Sequence, residues 1–406
     1  MFKQNSIPSI ALLTLGVMTT LSASGTAQEK GSWPQWRGPD GDGISKQVGL
    51  SAQGKEDSVW EMEVGLGYSA VSLRDGRLYT LGFDAENEMD LVWCIDAASG
   101  EEIWVHSYPA KIWNEFHGGG TLTTPTIVGD GLYVLNREGQ LFCLDLETGE
   151  PRWQRELMKE RKLTLPQWGF SASPLHVDDQ MIINVGIVMS VDMKTGKTLW
   201  ETKDYKEAYS TPTAFTHEGQ KRLAVFNGAG LILLDQATGK EISSYPWKTK
   251  YEVNAASPII VGDAIFISSG YGHGAALLAM DGDKLEPVWE TKKMKNQMNG
   301  CVLIGDHLYG FDDKILSCLD LEGNVVWSER GLGEGVLSAT KDKLLVLSGD
   351  GELLVAKASP KAFEVESKTK VLSGGVYWTQ PTVVDGLIYC RNSVGQLVCR
   401  DHRIDG

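Results

Sequence analysis

Aromatic, amide and imidazole side chains are concentrated in the long segments that join the strand-rich parts of this sequence. The stretch HSYPAKIWNEFHGGGTLTT at 106–124 holds three of them, and KLTLPQWGFSAS at 162–173 places Phe170 beside a tryptophan. Flat rings supply contact area and amides fix orientation, which suits a planar quinone or a sugar ring. The candidate ligand-binding residues are Trp113, Asn114, His117, Trp168, Tyr209, Asn254, Tyr271, His273, Asn299 and Trp378. The alternative is that these side chains fill a central channel and cap the elements around it.

The sequence gives no pattern for a metal site or a catalytic residue. Its seven histidines are scattered, with no i, i+4 pair and no Cys/His spacing of a zinc site. PDGDG at 39–43 resembles the start of a calcium loop, but the fifth and twelfth positions are Ile44 and Ser51, so the EF-hand pattern fails. We expect a turn there, in an N-terminal arm packed on the main body.

The first residues indicate export. One lysine precedes an apolar run from Ile7 to Leu21, and small residues suited to cleavage follow at Gly25 and Ala27. The run is short for a membrane span, so we predict a signal peptide over 1–27, an arm over 28–57 and one body over 58–406. An uncleaved anchor is the alternative. Cleavage would leave a periplasmic or secreted protein with no membrane span.

The charge balance limits the partners. Thirty-eight Lys and Arg face 53 Asp and Glu, a formal net charge of −15 at pH 7. Such a chain repels phosphate backbones and anionic lipid heads, which argues against nucleic acid. We expect a monomer whose partner is a protein or a small molecule.

A repeat runs through the body. Each unit has Ser or Thr before Pro, an apolar strand, a turn such as Asp-Gly, two more strands ending in Asp, then Thr-Gly and a strand with Trp. Eight units of 36 to 55 residues, the period of four-stranded propeller blades, start at Ser69, Thr124, Ser173, Thr211, Ser257, Asn299, Gly335 and Gln380. The links from the fourth strand of one blade to the first strand of the next should share one face with the turns between second and third strands. This face is here called the long-loop face.

The corner before the fourth strand explains how blades dock. Asp accepts hydrogen bonds from turn amides, Gly supplies a positive φ, and Trp covers apolar area between sheets. The last unit lacks a fourth strand, whereas SVWEMEV at 58–64 precedes the first unit. We therefore predict an all-β fold, an eight-bladed β-propeller of four-stranded antiparallel blades, closed by an N-terminal strand that completes the last blade. The predicted docking residues are Trp60, Trp104, Trp153, Trp200, Trp247, Trp289, Trp327 and Phe363.

Six cysteines occur in this chain, four of them just before the acidic corner residue, where packing is the expected role. A two-residue turn at Val394-Gly395 would set Cys390 and Cys399 across a hairpin, within reach of a disulfide. This bridge is a second possibility for that pair.

The D-x-x-[TS]-G-x-x-x-W corners resemble those of the PQQ-like repeat β-propellers over residues 58–404. The segments WPQWRGPDGDGIS (33–45), GLGYSA (65–70), PQWGF (166–170) and SGYGHGAALL (269–278) are similar to a secreted bacterial branch. The resemblance implies the fold. For function it points two ways, since relatives include quinoprotein alcohol dehydrogenases and the non-catalytic scaffold of the outer-membrane β-barrel assembly machine.

Departures from both groups of relatives limit what the resemblance implies for function, and neither analogy holds in full. The chain has no Cys-Cys pair, no C-x-x-C-H, and no match for the dehydrogenases' calcium ligands or catalytic aspartate; it also lacks the scaffold's lipid-attachment cysteine. We predict a binding or assembly scaffold that uses the long-loop face. The alternative is a quinoprotein oxidoreductase acting on an alcohol or sugar, with PQQ and Ca²⁺ in the axial funnel. A carbohydrate-binding propeller is the third hypothesis.

Overall fold

The computed structural model describes residues 31–47, 49–112 and 118–404. Within them the chain forms eight small sheets, and each sheet contributes four antiparallel strands to one blade. This confirms the all-β, eight-bladed prediction. Exposed residues recur along the outermost strand of each blade. The inner strands are mostly buried, because the neighbouring blades cover them on both faces.

The first four blades follow one another along the chain, each from its innermost strand outward. Blade I has β3 Ser72–Arg74, β4 Arg77–Asp84, β5 Met89–Asp96 and β6 Glu102–Pro109; blade II has β7 Thr126–Val128, β8 Gly131–Leu135, β9 Gln140–Asp145 and β10 Pro151–Glu156. Blade III has β11 Leu175–Val177, β12 Gln180–Val185, β13 Ile187–Asp192 and β14 Thr198–Asp204; blade IV has β15 Thr213–His217, β16 Gln220–Asn227, β17 Gly230–Asp235 and β18 Glu241–Pro246.

The remaining blades continue the order. Blade V has β19 Ile259–Val261, β20 Ala264–Ser269, β21 Gly274–Asp281 and β22 Lys284–Thr291; blade VI has β23 Val302–Ile304, β24 His307–Asp312, β25 Ile315–Asp320 and β26 Val325–Glu329. Blade VII has β27 Val336–Thr340, β28 Lys343–Leu347, β29 Glu352–Lys357 and β30 Val365–Lys370; blade VIII has β31 Thr382–Val384, β32 Leu387–Arg391, β33 Gln396–Asp401 and β2 Ser58–Glu63. Helix α1 Leu157–Arg161 and a 3₁₀ turn Lys250–Glu252 lie in links, and β1 Ile44–Ser45 precedes all blades.

The ring closes through blade VIII. Strand β2, from the start of the chain, pairs antiparallel with β33 at its end, with Trp60 opposite Cys399. This pairing removes the open edge that β33 would otherwise present to solvent. The predicted closure by an N-terminal strand is confirmed.

At six of the eight blades, the corner receives the tryptophan of the preceding blade. In blade II, Asp145 accepts the amides of Glu147 and Thr148, and Gly149 adopts a φ of +73°. A Cβ at Gly149 would lie 2.6 Å from the Trp104 ring, so glycine is required for space as well as for φ. The Trp104 indole then donates 3.3 Å to the carbonyl after the aspartate, that of Leu146.

The same indole-to-carbonyl contact recurs at other blade boundaries. The Nε1 atoms of Trp60, Trp153, Trp289 and Trp327 donate to the carbonyls of Ala97, Met193, Leu321 and Ser359. The repeat therefore couples one local turn to one inter-blade hydrogen bond, which is why its spacing is so regular.

Two of the predicted docking residues occupy different positions. Trp247 follows β18, while Ser243 takes the register position opposite Leu233; the buried Trp247 indole instead donates to Ser269 Oγ. The corner of blade IV has the usual length from Asp235 to Ser243, so a serine fills the docking position and the tryptophan lies past the end of its strand. Phe363 precedes β30 and lies 5.8 Å from the Trp327 ring, so it covers that indole from the loop rather than from the strand.

The possible disulfide between Cys390 and Cys399 is not formed. Cys390 pairs with Val398 and Cys399 with Tyr389, a register that turns the two thiols to opposite faces of the sheet. The connection runs from 392 to 395, four residues rather than two. All six cysteines are free and buried, so packing is their role in the fold.

Residues 31–47 of the arm lie in the central channel. Trp33 forms a bridge with Leu73 of blade I, and the Pro34 carbonyl accepts the amide of Ile127 in blade II. Further along the arm, the Trp36 indole donates to Ser257 in the link before blade V, which lies opposite blade I in the eight-bladed ring. The arm strand β1 then pairs parallel with β27 of blade VII. A segment this short can contact opposite sides of the ring only by crossing its axis. The arm thus plugs the channel.

Candidate functional site: an aromatic pocket on the long-loop face

A pocket of about 140 Å³ lies on the propeller axis, on the long-loop face. Its walls come from the links that enter the first strands and from one second-to-third turn in blade V, whereas its floor is the indole of Trp36 in the arm. Among the described residues the lining consists of Trp36, Tyr68, Leu122, Trp168, Ser171, Ser173, Tyr209, Thr211, Val253, Ala255, Tyr271, Met298, Asn299 and Trp378.

The floor is fixed by hydrogen bonds from the arm. Trp36 Nε1 donates 3.4 Å to Ser257 Oγ in the link before blade V. The next residue, Arg37, is 1% exposed and donates to the carbonyls of Asp42 (2.7 Å) and Cys301 (2.5 Å). Burial lowers the Arg37 pKa, and the nearby Asp42 carboxylate opposes that shift. The cation therefore joins the arm to blade VI and holds Trp36 in place.

Aromatic rings face one another across the mouth. Tyr68 and Trp378 stack with centroids 5.4 Å apart. On the other side Trp168 makes edge contacts with Tyr209 at 5.9 Å and Tyr251 at 6.1 Å. These pairs each add stability beyond the area they bury and keep the rings in fixed orientations.

Two tyrosines of the mouth combine exposure with an unusual backbone. Tyr251 and Tyr271 are 50% and 37% exposed, and their rings meet edge to face at 5.5 Å. Their φ values are +68° and +54°, in the left-handed region that bulky side chains rarely adopt. Residues held in such conformations cluster at functional sites, because surrounding structure must offset the strain. Trp168, Tyr209, Tyr251 and Tyr271 are called the aromatic arc below.

Hydroxyl groups of the Ser/Thr-Pro motif connect neighbouring blades around the pocket. Thr124 Oγ1 accepts the amide of Ala70 at 3.2 Å, Ser173 Oγ accepts that of Thr124 at 2.9 Å, and Thr211 Oγ1 accepts that of Ser173 at 2.9 Å. Each motif hydroxyl thus satisfies a backbone donor of the blade before it. The residues that set blade spacing also line the pocket wall.

The structure brings together half of the residues proposed from sequence. Trp168, Tyr209, Tyr271, Asn299 and Trp378 all line the pocket. Trp113, Asn114 and His117 lie outside the described residues.

Two other candidates are placed elsewhere. Asn254 is fully buried; its amide donates to the carbonyls of Asn227 and Trp247, and its oxygen accepts from Ser269. His273 packs on the Trp247 ring at 4.2 Å, and burial lowers its pKa. Both support the link between blades IV and V.

Sequence reasoning missed the floor and part of the rim. Trp36 and Tyr68 line the pocket, and Tyr251 extends the arc, yet none was among the candidates. The only signal for Trp36 was the paired tryptophans of WPQW, which occur before the first repeat unit. Tyr251 lies in a link with no repeat-like feature.

The lining does not fit PQQ. This cofactor carries three carboxylates and binds beside Ca²⁺, so its site needs cationic side chains and a carboxylate ligand. Among the described lining residues none is charged. The described part of the chain also contains no group of three or more His, Cys, Asp or Glu that could hold a metal ion. We therefore derive no reaction through a quinone at this site.

These features define a class: an eight-bladed PQQ-like β-propeller with a plugged channel and an uncharged aromatic pocket. Sequence comparison agrees with the fold. The family model described as outer membrane protein assembly factor BamB matches residues 88–329, more than half of the chain. The chain belongs to this family.

Individual relatives give the same result. The chain is 23% identical over 384 residues to the outer membrane protein assembly factor BamB of Shewanella oneidensis, covering 87% of this chain and 91% of that protein. The crystal structure of BamB from Moraxella catarrhalis superposes with a TM-score of 0.63 at 15% identity, over 85% of this chain and 99% of that one. The quinohemoprotein alcohol dehydrogenase of Comamonas testosteroni superposes at 0.69 and 12% identity, over 93% and 81%. At such identities the superpositions establish the fold alone.

No helix in the described ranges is long and apolar enough to cross a membrane.

Proposed function

We propose that this protein is a non-catalytic scaffold of the cell envelope that acts in the assembly of outer-membrane proteins, binding a protein partner through its long-loop face. The observation that carries the proposal is the aromatic arc. Tyrosine and tryptophan are the residues most enriched where proteins bind one another, since they offer large rigid area and a polar tip. The family to which the chain belongs supports assembly as the process.

The geometry of the arc suits a protein contact. Tyr251 and Tyr271 project from two different elements, the link before blade V and the second-to-third turn of that blade. Their edge contacts with each other and with Trp168 hold them before a partner arrives. These side chains therefore lose less conformational entropy when a partner binds than flexible residues would.

Electrostatics supports the same kind of partner. The formal net charge of −15 disfavours nucleic acid and anionic lipid surfaces. The uncharged lining of the pocket gives no cationic partner for the carboxylates of PQQ. A binding role therefore accounts for the site better than an oxidoreductase does.

Export is part of the proposal. Residues 1–27 would act as a signal peptide, and the arm, 28–57, and the propeller, 58–406, would remain in the periplasm or outside the cell. Residues 31–47 fill the channel, which gives the arm a structural role in the mature chain.

The proposal can be tested by photo-crosslinking. A photoreactive phenylalanine analogue replaces Tyr251 or Tyr271 in cells that express the full chain, and crosslinked proteins are identified by mass spectrometry. We expect both positions to capture the same outer-membrane assembly component. The matched control is Leu199, which is 54% exposed on the outermost strand of blade III. Capture at Leu199 equal to that at the tyrosines would contradict use of the long-loop face.

A second experiment tests the role in outer-membrane protein assembly, independently of the binding surface. Loss of the protein should lower the amount of folded β-barrel proteins in the outer membrane, and the Tyr251→Ala/Tyr271→Ala double variant should reproduce that loss at normal protein level. A deletion strain with unchanged outer-membrane protein levels would contradict the assembly role.

A further inference from the structure

We propose that the axial pocket binds one neutral pyranose ring, as a free monosaccharide or as the end unit of a glycan. The pocket shares Trp168, Tyr209 and Tyr271 with the aromatic arc, but the sugar would use its inner wall and floor, whereas the proposed protein contact uses the exposed rim. Three features of the pocket favour such a ligand: the hydrogen-bonding groups of the wall, the aromatic floor and the absence of charge among the described lining residues.

Two buried hydroxyls at the wall have a proton to donate. Ser173 and Thr211 are 2% and 6% exposed, and each oxygen already accepts a backbone amide of the preceding blade. A hydroxyl that accepts one bond retains its own O–H as a donor. Among the described residues neither O–H has a protein acceptor. Both side chains line the pocket, so a ligand oxygen there would satisfy them.

An acceptor lies at another part of the wall. The Asn299 amide donates to the Trp378 carbonyl at 2.5 Å, but its Oδ1 is buried and has no hydrogen-bond partner in the described structure. A buried polar atom without a partner is unfavourable, so a ligand that donates to it would be favoured. The pocket therefore requires a ligand that both accepts and donates hydrogen bonds.

The floor selects a ring with an apolar face. Trp36 closes the pocket from the arm side, and the stacked Tyr68–Trp378 pair forms one wall. The C–H face of a pyranose packs on indole and phenol rings, while its hydroxyls project sideways to reach polar groups. The pocket offers aromatic ring faces for the C–H face of a pyranose and hydroxyl and amide groups for its hydroxyls.

The lining excludes charged relatives of the same ring. None of the described lining residues carries a charge, so a carboxylate or phosphate would lose its hydration without gaining a partner. Neutral hexoses should bind and their acidic or phosphorylated forms should not. This contrast gives the proposal its sharpest test.

The test uses the purified mature chain and two readouts, calorimetric titration and tryptophan fluorescence. Glucose, galactose, mannose and N-acetylglucosamine are compared with glucuronic acid and glucose 6-phosphate. We expect at least one neutral sugar to bind with a change in fluorescence, since Trp36 lies at the floor. Absence of binding by every neutral sugar at roughly 50 mM, far above ordinary site affinities, would overturn the proposal.

A pair of variants separates specific binding from loss of fold. Thr211→Val removes the hydroxyl and should weaken the sugar by about tenfold, the effect of one or two hydrogen bonds. Thr211→Ser keeps the hydroxyl and should recover the affinity that Thr211→Val loses. Because Thr211 also accepts the Ser173 amide, both variants are first checked for cooperative unfolding. Leu199→Ala, on an outer strand, is the unchanged control.

Other outcomes count against the sugar. Glucuronic acid that binds as tightly as the neutral sugars would contradict the exclusion of charged ligands. Sugar binding that is unchanged in Thr211→Val would show that the sugar binds outside this pocket. Binding of tyrosine amide in preference to every sugar, with the same dependence on Thr211, would assign the pocket to a protein side chain. Crosslinking at Tyr251 and Tyr271 reports on the assembly proposal independently, so either proposal can fail alone.

Discussion

The Trp60 indole donates a 3.0 Å hydrogen bond to the carbonyl of Ala97, and this contact joins the first blade to the strand that completes the last one. Trp60 is 8% exposed and packs in the cluster that holds residues of both blades. A Cβ on Gly100 would lie 2.7 Å from its ring, so the corner of blade I is shaped to receive it. The closure of the ring therefore uses the same docking contact that Trp104, Trp153, Trp289 and Trp327 make elsewhere.

Replacing Trp60 by Ala should destabilise the protein by about 3–5 kcal/mol, the usual cost of truncating a buried tryptophan. Urea unfolding followed by circular dichroism measures this change. Leu199→Ala is the control, and its effect should stay within about 0.5 kcal/mol because that side chain is largely exposed. An unfolding midpoint of Trp60→Ala equal to that of wild type would contradict the closure argument.

A chain that begins at residue 48 should keep the propeller but lose protection at the channel. The amides of Leu73, Ile127 and Ala339 donate to the carbonyls of Trp33, Pro34 and Gly43. Without the arm these amides exchange with solvent, so hydrogen exchange at all three should accelerate more than at β16 of blade IV. Unchanged protection at the three amides would show that the arm is not their partner in solution.

The repeat made the fold predictable, because Asp and Gly form each corner within a few residues and the Trp that docks there belongs to the adjacent blade. The plug was not predictable to the same degree. Arg37 reaches the Cys301 carbonyl, 264 residues away, and only the closed ring brings the two together. The Cys390–Cys399 bridge failed for a local reason: Arg391 pairs with Leu397, which leaves an odd number of residues between the paired positions, so the register differs by one from that of a two-residue turn and the thiols point apart. The pocket was half predicted, since links with aromatic residues were recognisable but the floor came from the arm.

Asp90 should make stability depend on pH. It is 1% exposed, and burial raises its pKa to about 7, opposed by the charge of Arg137 and reinforced by that of Glu138. The folded state therefore holds the proton more tightly than the unfolded state, and stability falls as pH rises from about 4 to about 7.

Replacing Asp90 by Asn removes that titration. The variant should gain stability relative to wild type as pH rises through this window, by up to a few kcal/mol at about 1.4 kcal/mol per pKa unit. Urea unfolding at about pH 4, 6 and 8 measures the difference. A difference that is constant across the three would contradict the assignment to Asp90.

The six cysteines should be unreactive in the folded protein. Burial raises the pKa of Cys390 and of Cys399 to about 12, and the other four thiols are buried as well. The thiolate is the reactive form, so a disulfide-exchange reagent should label none of them before unfolding and all six after it. Intact mass without reductant provides the control. A mass two units lower, or fewer than six labels after unfolding, would reveal a bridge.

Adding PQQ with Ca²⁺ should change neither the melting temperature nor the tryptophan fluorescence. A ligand that binds only the folded state raises the melting temperature once its concentration exceeds the Kd, and one that reaches the pocket approaches Trp36 and Trp168. The described lining offers no cation for the cofactor's carboxylates and no carboxylate for the metal, so both partners would lose hydration without compensation. A quinoprotein dehydrogenase measured in parallel shows that the cofactor is competent. A saturable change in the tryptophan fluorescence of the present chain would mean that charged residues reach the pocket. That result would support the oxidoreductase hypothesis.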